Sequence, residues 1–383
     1  MQFDTHVCLV SAQPTPNITP VADAQTRPKR VILVVSNDMQ SQAEWLGNVI
    51  KQRGVRVEGW PIVDPWDVEH LQSRLMELLE REQEGVAGKT LALNATGGTK
   101  PMSIAAYETF RAYDLPIFYV HPEQDRLIWM YPQNGPALVL EDTIKLGPFL
   151  AAHGATAREP IERTPPAPEV IDFAEELVKD LDRYAKALPV LNALAASARN
   201  RRESARLDRN DPGSSLDELI ERFADAGYVV RQDSVLRFPD EAHRAFVNGG
   251  WFEQYVFHRV KRLHAEDVPV QDAACNLTVE RTVRRKPVTN ELDVALLVRN
   301  KLYVIECKTR SWPENPDGSS GADALYKLDS LVDLVGGLKA RGMLVSYLPL
   351  PDKDKRRAAD LRIEVCEGRE VAELSSRLAK WVR

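Results

Sequence analysis

The sequence predicts an α/β protein in two parts. Three observations carry this. Strand and helix patterns alternate through the first 150 residues, an Ala- and Pro-rich stretch interrupts them, and strands return in "ELDVALLVRNKLYVIECKTR", residues 291 to 310, where two apolar runs flank a tight turn. Alternating strands and helices imply a parallel, Rossmann-like sheet up to about residue 150. At 383 residues the chain is long for one core, which argues for two or three domains.

Taken in order, "THVCLVS" and "KRVILVVSN" read as the first two strands. "MQSQAEWLGNVIKQRG" has helical spacing and ends at Gly54, a cap residue. "VRVEGWPIV" is a third strand. "DPWDVEHLQSRLMELLEREQEG" is a helix with Asp64 as its expected N-cap and Pro65 at its first position. "KTLALNATGG" is a fourth strand, "TKPMSIAAYETFRAYD" the helix after it, "LPIFYVH" a fifth strand and "RLIWMYPQNGPALVLE" a closing hairpin. Residues 151–169 read as a linker. Residues 170–245 read as a helical connector, winged-helix-like in its helix-then-hairpin end. Residues 246–383 begin with the helix "FVNGGWFEQYVFHRVKRL" and continue into the strands quoted above.

The net charge of −6 gives no global basic field, so any nucleic-acid site must be a local patch. The four cysteines, Cys8, Cys275, Cys307 and Cys366, form no CxxC pair and no zinc spacing, which fits a reduced, cytoplasmic protein. The start lacks a signal-peptide pattern, and no run is long and apolar enough to span a membrane.

Three charged residues interrupt the apolar hairpin. Side chains alternate along a strand, so Glu306 and Lys308 share a face and Cys307 points away with Ile305. A turn at Arg299 and Asn300 pairs Asp293 with Glu306; a turn one residue later pairs it with Lys308. Either register puts all three on one face. Two carboxylates at that distance repel unless a cation lies between them, and a hard divalent ion accepts oxygen ligands. Lys308 then orients water or stabilises the transition state. The alternative is a surface hairpin with an exposed ion pair.

"LNATGGTKP", residues 93 to 101, leaves a strand and opens a helix. Gly97 and Gly98 permit close backbone approach, Thr99 suits the N-cap, and free N–H groups beside Lys100 make an anion site; an ordinary strand-to-helix turn is the alternative. No GxGxxG follows the first strand, which argues against a dinucleotide cofactor. "GVAGKT", residues 85 to 90, is not a P-loop: Gln83 stands where its first glycine belongs, and it precedes a strand. In a doubly wound sheet ligands sit at the carboxyl ends of the strands. Ser11, Gln13, Thr15, Asn17, Ser36, Asn37, Asn94, Thr96 and Lys100 belong to that end.

Glu253 on a helix, Asp293 on a strand and Glu306-Cys307-Lys308 on the next resemble the E…D…ExK pattern of PD-(D/E)xK nucleases. "SAQPTPN" and "TGGTKPM" resemble CARF domains, the cyclic-oligoadenylate sensors of type III CRISPR immunity. Together they are similar to CRISPR ancillary nucleases, in which a CARF domain (here 1–150) is fused to a restriction-endonuclease-like α/β/α domain (here 246–383). The resemblance implies Mg2+ or Mn2+ on Asp293 and Glu306, with the Cys307 carbonyl as a third ligand and Glu253 as an accessory acid. It implies a homodimer activated by cyclic tetra-adenylate, with cyclic hexa-adenylate second. Contacts to the activator would come from the loop residues above together with Gly97, Gly98 and Thr99. The expected substrate is single-stranded RNA or DNA, with nicking of duplex DNA. Arg281, Arg284, Arg285 and Lys286 would hold its backbone; the alternative for them is a hairpin edge blunted by charge. Two other readings are a constitutive restriction or repair nuclease with a partner-binding front domain, and a non-catalytic nucleotide sensor.

Overall fold

The computed structural model describes residues 3–84, 90–121, 124–133, 135–207, 213–312 and 319–383. The rejected look-alike "GVAGKT" lies almost wholly outside them. The elements run β1 (Thr5–Leu9), α1 (Thr15–Ala22), β2 (Arg30–Ser36), α2 (Gln40–Gln52), β3 (Arg56–Ile62), α3 (Val68–Glu84), β4 (Leu91–Asn94), α4 (Lys100–Ala112), β5 (Ile117–His121), β6 (Arg126–Tyr131), β7 (Leu138–Val139), α5 (Leu146–Ala152) and β8 (Ala155–Ala157). Then come α6 (Pro168–Lys179), α7 (Leu181–Tyr184), α8 (Ala187–Ser197), α9 (Gly213–Asp225), β9 (Val230–Gln232), β10 (Val235–Arg237), α10 (Glu241–Ala245), a π turn (Phe246–Gly250) and α11 (Trp251–Lys261). The last part holds β11 (Val270–Val283), β12 (Lys286–Val298), β13 (Lys301–Lys308), α12 (Ser319–Gly336), β14 (Arg341–Ser346), α13 (Asp352–Asp360), β15 (Glu364–Glu367) and α14 (Leu374–Trp381).

The first sheet has the order β3-β2-β1-β4-β5-β6-β7. β1 to β5 are parallel, and β6 and β7 close the edge as antiparallel strands. Two details depart from the sequence reading. α3 begins later than expected: Asp67 Oδ1 accepts the His70 N–H at its first turn, while Asp64 Oδ1 accepts the Trp66 N–H in the loop before it. The "PTPN" segment, expected as loop, opens α1; Pro14 and Pro16 stand at its cap and first turn and Pro20 inside it, which hid this short helix from pattern reading.

The second sheet has the order β15-β14-β13-β12-β11-β8. β8 comes from residues 151–169, expected as a linker. That segment lies along β11 instead, with Thr156 opposite Glu280 and the Cys275 N–H bonded to Glu162 O. An edge strand offers a row of unpaired backbone groups, and this segment satisfies them. The connector packs α6, α8 and α9 with α11 over one face of the second sheet, around Trp251, Phe252, Val294, Ile305 and Cys307. A second core runs from Cys8, Leu33 and Val35, through α2 and α5, to Ala295, Leu302 and Val304. The two α/β bodies therefore share one apolar core.

Candidate active site and activator site

β12 and β13 meet through a two-residue turn at Arg299 and Asn300, with φ of 49° and 53°. Positive φ at both positions is the hairpin turn that matches strand twist. The register pairs Val298 with Lys301 and Val294 with Ile305, so Asp293 stands opposite Glu306, the first of the two registers considered. Asp293 Oδ2 accepts the Cys307 N–H at 2.7 Å. Lys308 Nζ donates to Glu306 Oε1. Burial and the neighbouring Glu306 push the Asp293 carboxyl well above the usual carboxylate range. Burial opposes charge on Lys308, but Glu306 and Asp293 outweigh it and raise its pKa.

Glu253 lies in the first turn of α11 and is not a solvated helix glutamate. Burial, then Asp293, push its pKa up as well. The positioning depends on the π turn before it. Gly249 has φ +122°, and a Cβ there would meet Thr309 Oγ1 at 2.9 Å. π turns inside helices recur at functional sites. Glu253 and Glu306 line a pocket of about 630 Å3 with Lys308, Arg310 and Lys327, and Asp293 lies behind Glu306 on the neighbouring strand. Its opposite wall is one face of α8: Pro189, Asn192, Ala193 and Ala196, at helical spacing. The connector thus belongs to the site, which the sequence reading missed.

The donor set suits a hard cation: two facing carboxylates and a backbone carbonyl nearby, with the Asp293 and Glu253 carboxyls raised by burial first and by neighbouring carboxylates second. Among the described residues no group of three His, Cys, Asp or Glu side chains forms a metal cage. Further ligands would then be carbonyl, water or phosphate oxygens. The Cys307 side chain is buried and its thiol pKa raised well above the usual value, so its sulfur is not the expected donor.

The basic run falls elsewhere. Arg284 and Arg285 form the turn of the β11–β12 hairpin, with Val283 opposite Lys286 and Arg281 opposite Ala155 of β8. Arg285 stands eight residues before Asp293 along the strand, roughly 25 Å away. This tip does not join the carboxylates; the basic groups that do are Lys308, Arg310 and Lys327.

In the first sheet the expected loop residues do gather at the carboxyl ends of the strands, but they divide into two groups. Asn17 and Asn94 are buried and serve the framework: Asn17 Nδ2 donates to Leu9 O and Asn94 Nδ2 to Asn17 Oδ1, at 2.9 and 3.0 Å. Thr96 Oγ1 donates to Asn94 Oδ1 and accepts the Val120 N–H. Ser36 is buried and bonds Asp38. Thr99 caps α4 by accepting the Met102 N–H and donates to Pro65 O. A Cβ on Gly97 would lie 2.1 Å from Leu9 O, so only glycine lets this loop close onto β1. Ser11, Gln13 and Thr15 are half-buried, whereas Asn37 and Lys100 are exposed. Gly98 and Lys100 border a cavity of about 900 Å3 with Ile104, Tyr107 and Tyr119. Gln13 and Thr15 instead line a cavity of about 160 Å3 against Asn300, Lys301 and Lys339.

Two family models match the chain: the Card1 CARF domain over residues 5–146 and the Card1-like endonuclease domain over residues 240–383. Protein VC1899 from Vibrio cholerae matches over 99% of this chain and 97% of its own, at 30% identity and a TM-score of 0.87. The chain belongs to the Card1-like family of CARF–endonuclease proteins. Can2 from Sulfobacillus thermosulfidooxidans, solved in complex with cyclic tetra-adenylate, matches over the full length of both chains at 27% identity and a TM-score of 0.82. A type III CRISPR defence DNA nuclease activated by cyclic oligoadenylate shares the fold at 20% identity and a TM-score of 0.56, with 92% of this chain and 47% of that one covered. A search of curated proteins found no match. The Card1-like assignment puts an endonuclease domain around Asp293 and Glu306 and a CARF domain around the "TGGTKP" loop. Among the described residues no helix is long and apolar enough to cross a membrane.

Proposed function

We propose that this chain is a cyclic-oligoadenylate-activated, metal-dependent endonuclease of type III CRISPR defence, cleaving single-stranded RNA or DNA and nicking duplex DNA. One observation carries the reading: a Card1-type CARF domain and a Card1-like endonuclease domain share a core, and the latter's hairpin bears Asp293 opposite Glu306 with Lys308 bonded beside them. Cyclic tetra-adenylate is the activator of choice, because the Can2 relative was solved with it.

Asp293 and Glu306 would hold Mg2+ or Mn2+, with the Cys307 carbonyl beside them. Such an ion supplies a Lewis acid for the scissile phosphate and lowers the pKa of a bound water. The protein's own groups do the rest. Lys308, held charged by its two carboxylates, stabilises negative charge gathering on the phosphate. Glu253, kept protonated more readily than a free glutamate, holds a proton beside the reacting groups. Arg310 and Lys327 steady the flanking phosphates.

In the sensor, Ser11, Gln13, Gly98 and Lys100 contact the activator, and Asn17, Asn94, Thr96 and Ser36 shape the loops. A ring with internal symmetry suits a two-fold axis, so the working form is a homodimer. Ile104, 54% exposed on α4, is an apolar side chain that a second copy would cover.

The test is cleavage of labelled single-stranded RNA, single-stranded DNA and supercoiled plasmid with Mn2+, run without activator and with cyclic tetra- or hexa-adenylate. Cleavage switched on by one ring size is expected. Equal cleavage without activator would retain the nuclease and discard the sensor. Full activity of Glu306→Ala would sink the site assignment.

A further inference from the structure

Asn192, on connector helix α8, is 6% exposed and forms part of the wall of the pocket that holds Glu306 and Lys308. One end of its amide is used: Nδ2 donates to Thr309 Oγ1 at 3.0 Å. The other end is not. Asn192 Oδ1 is buried and has no hydrogen-bond partner among the described residues. A buried acceptor left unpaired costs about 1–3 kcal/mol, so such groups are rare unless something else satisfies them.

The surroundings fit an absent partner. Next to Asn192 on the same helix face stand Ala193 and Ala196, small residues that leave the wall open. Thr309, which fixes the amide, directly follows Lys308, so the amide is held in register with the catalytic strand. Gly249, whose φ of +122° and lack of a Cβ leave room for Thr309 Oγ1, completes the support from the other side. Three separate elements, α8, the π turn and the end of β13, thus fix one amide at the edge of the pocket.

We propose that Asn192 is a specificity-determining residue: its Oδ1 accepts a hydrogen bond from a donor on the nucleotide beside the scissile phosphate. This rests on the nuclease reading above. The donor is a ribose 2′-hydroxyl or a base N–H, either the exocyclic amine of adenine and cytosine or the ring N3–H of thymine and uracil. DNA lacks the hydroxyl, and N3-methylthymine lacks every base donor. An N3-methyl-deoxythymidine in that place leaves Oδ1 unpaired. Sites built to accept from a substrate donor reject analogues that lack it by large factors.

The experiment measures kcat/KM of the activated full-length protein and of Asn192→Ala on single-stranded oligonucleotides differing at the nucleotide next to the cut. The substrates are dA, dC, dT and N3-methyl-dT, and the ribo forms A, C and U. The unmodified protein should cleave the substrates that carry the donor at least tenfold better than N3-methyl-dT. Asn192→Ala should lose at least tenfold on those substrates, change little on N3-methyl-dT, and so flatten the preference. A preference for every ribo form assigns the hydroxyl; a preference for A and C over T and U assigns the amine, and the reverse assigns the N3–H. Thr309→Val, which removes the bond that fixes the amide, should weaken the preference partway, whereas a pure packing role at Asn192 would leave the preference unmoved. An unchanged preference in Asn192→Ala, or an equal loss on every substrate, overturns the proposal while leaving the nuclease reading intact. No cleavage by the unmodified protein with any activator overturns both.

Discussion

Asn300 Nδ2 donates to Asp125 Oδ2 at 3.2 Å, and this bond joins the turn of the β12–β13 hairpin to the CARF domain. The same amide reaches Asp142 Oδ1 at 3.1 Å, and Gln271 bonds both the side chain and the backbone N–H of Asn300. β13 runs from this turn straight to Glu306 and Lys308. A shift of the CARF loops would therefore reach the strand of Glu306 and Lys308 through a buried polar cluster. We propose this cluster as the coupling route between the two domains.

Asn300→Gly keeps a residue that tolerates φ of 53° and removes the side chain. It leaves the Asp125, Asp142 and Gln271 groups short of a partner, so stability should fall by about 1–3 kcal/mol. The activation ratio, cleavage with cyclic tetra-adenylate over cleavage without it, should fall at least fivefold while basal cleavage persists. Paired cleavage assays and thermal melts measure both. An unaltered ratio would remove this junction from the coupling route.

Asp125 gives the junction a pH dependence. Burial is the main reason its carboxyl is pushed up to about 6; Asp142 adds to the shift, while Asn300, Lys339 and Lys301 oppose it. A carboxyl raised in the folded state binds more protons there than in the unfolded chain. Its contribution to stability is thus most favourable below pH 4 and is lost as pH rises through 6. Above that the penalty is on the order of 2–3 kcal/mol. Asp125→Asn keeps the acceptor oxygen and, like Asp, accepts the φ of 44° at this position. The variant should melt higher than the parent at pH 7.5, and the difference should shrink towards pH 4. A pH-independent difference would show that the charge at 125 is not what burial penalises.

The parts of this molecule legible in its sequence are those that local physics dictates. The β12–β13 hairpin announced itself through two apolar runs around Arg299 and Asn300, and the one-face placement of Asp293, Glu306 and Lys308 followed from strand alternation in either register. Thr99 was readable as a cap because capping is a local hydrogen bond. What was hidden depends on distant packing. Nothing local marks Asn192 as part of the nuclease pocket, since α8 reaches β13 only through the tertiary fold. Asn17 and Asn94 looked like ligand groups because polar loop residues usually face solvent; each is instead consumed by the other and by Leu9 and Pro16 backbone oxygens. Arg284 and Arg285 were near the carboxylates in sequence, and a long hairpin carried them away.

Lys100 is the exposed cation at the start of α4, beside the Gly97–Gly98 loop and over the larger cavity. Helix N-termini and cations together favour phosphates. Lys100→Ala touches no buried contact, so its melting temperature should match the parent within about 1 °C. Its affinity for cyclic tetra-adenylate should fall at least tenfold by calorimetry, with cleavage at saturating activator largely retained. Full affinity would move the phosphate contacts away from this loop.

The acidic pair should reveal a cation without any cleavage assay. Asp293 is held in a buried site facing Glu306, and the two repel at neutral pH. Asp293→Asn removes one charge but keeps the acceptor for the Cys307 N–H. In chelator the variant should therefore be as stable as the parent or more so, by about 1 kcal/mol, because like-charge repulsion across strands is relieved. Millimolar Mn2+ should raise the parent's melting temperature, since a ligand that binds only the folded state stabilises it by mass action. The variant should lose most of that rise, and Glu306→Gln should behave alike. A parent that shows no Mn2+-dependent rise, or variants that keep it, would mean that these carboxylates do not hold the ion, and the charged residues of the hairpin would need a different account.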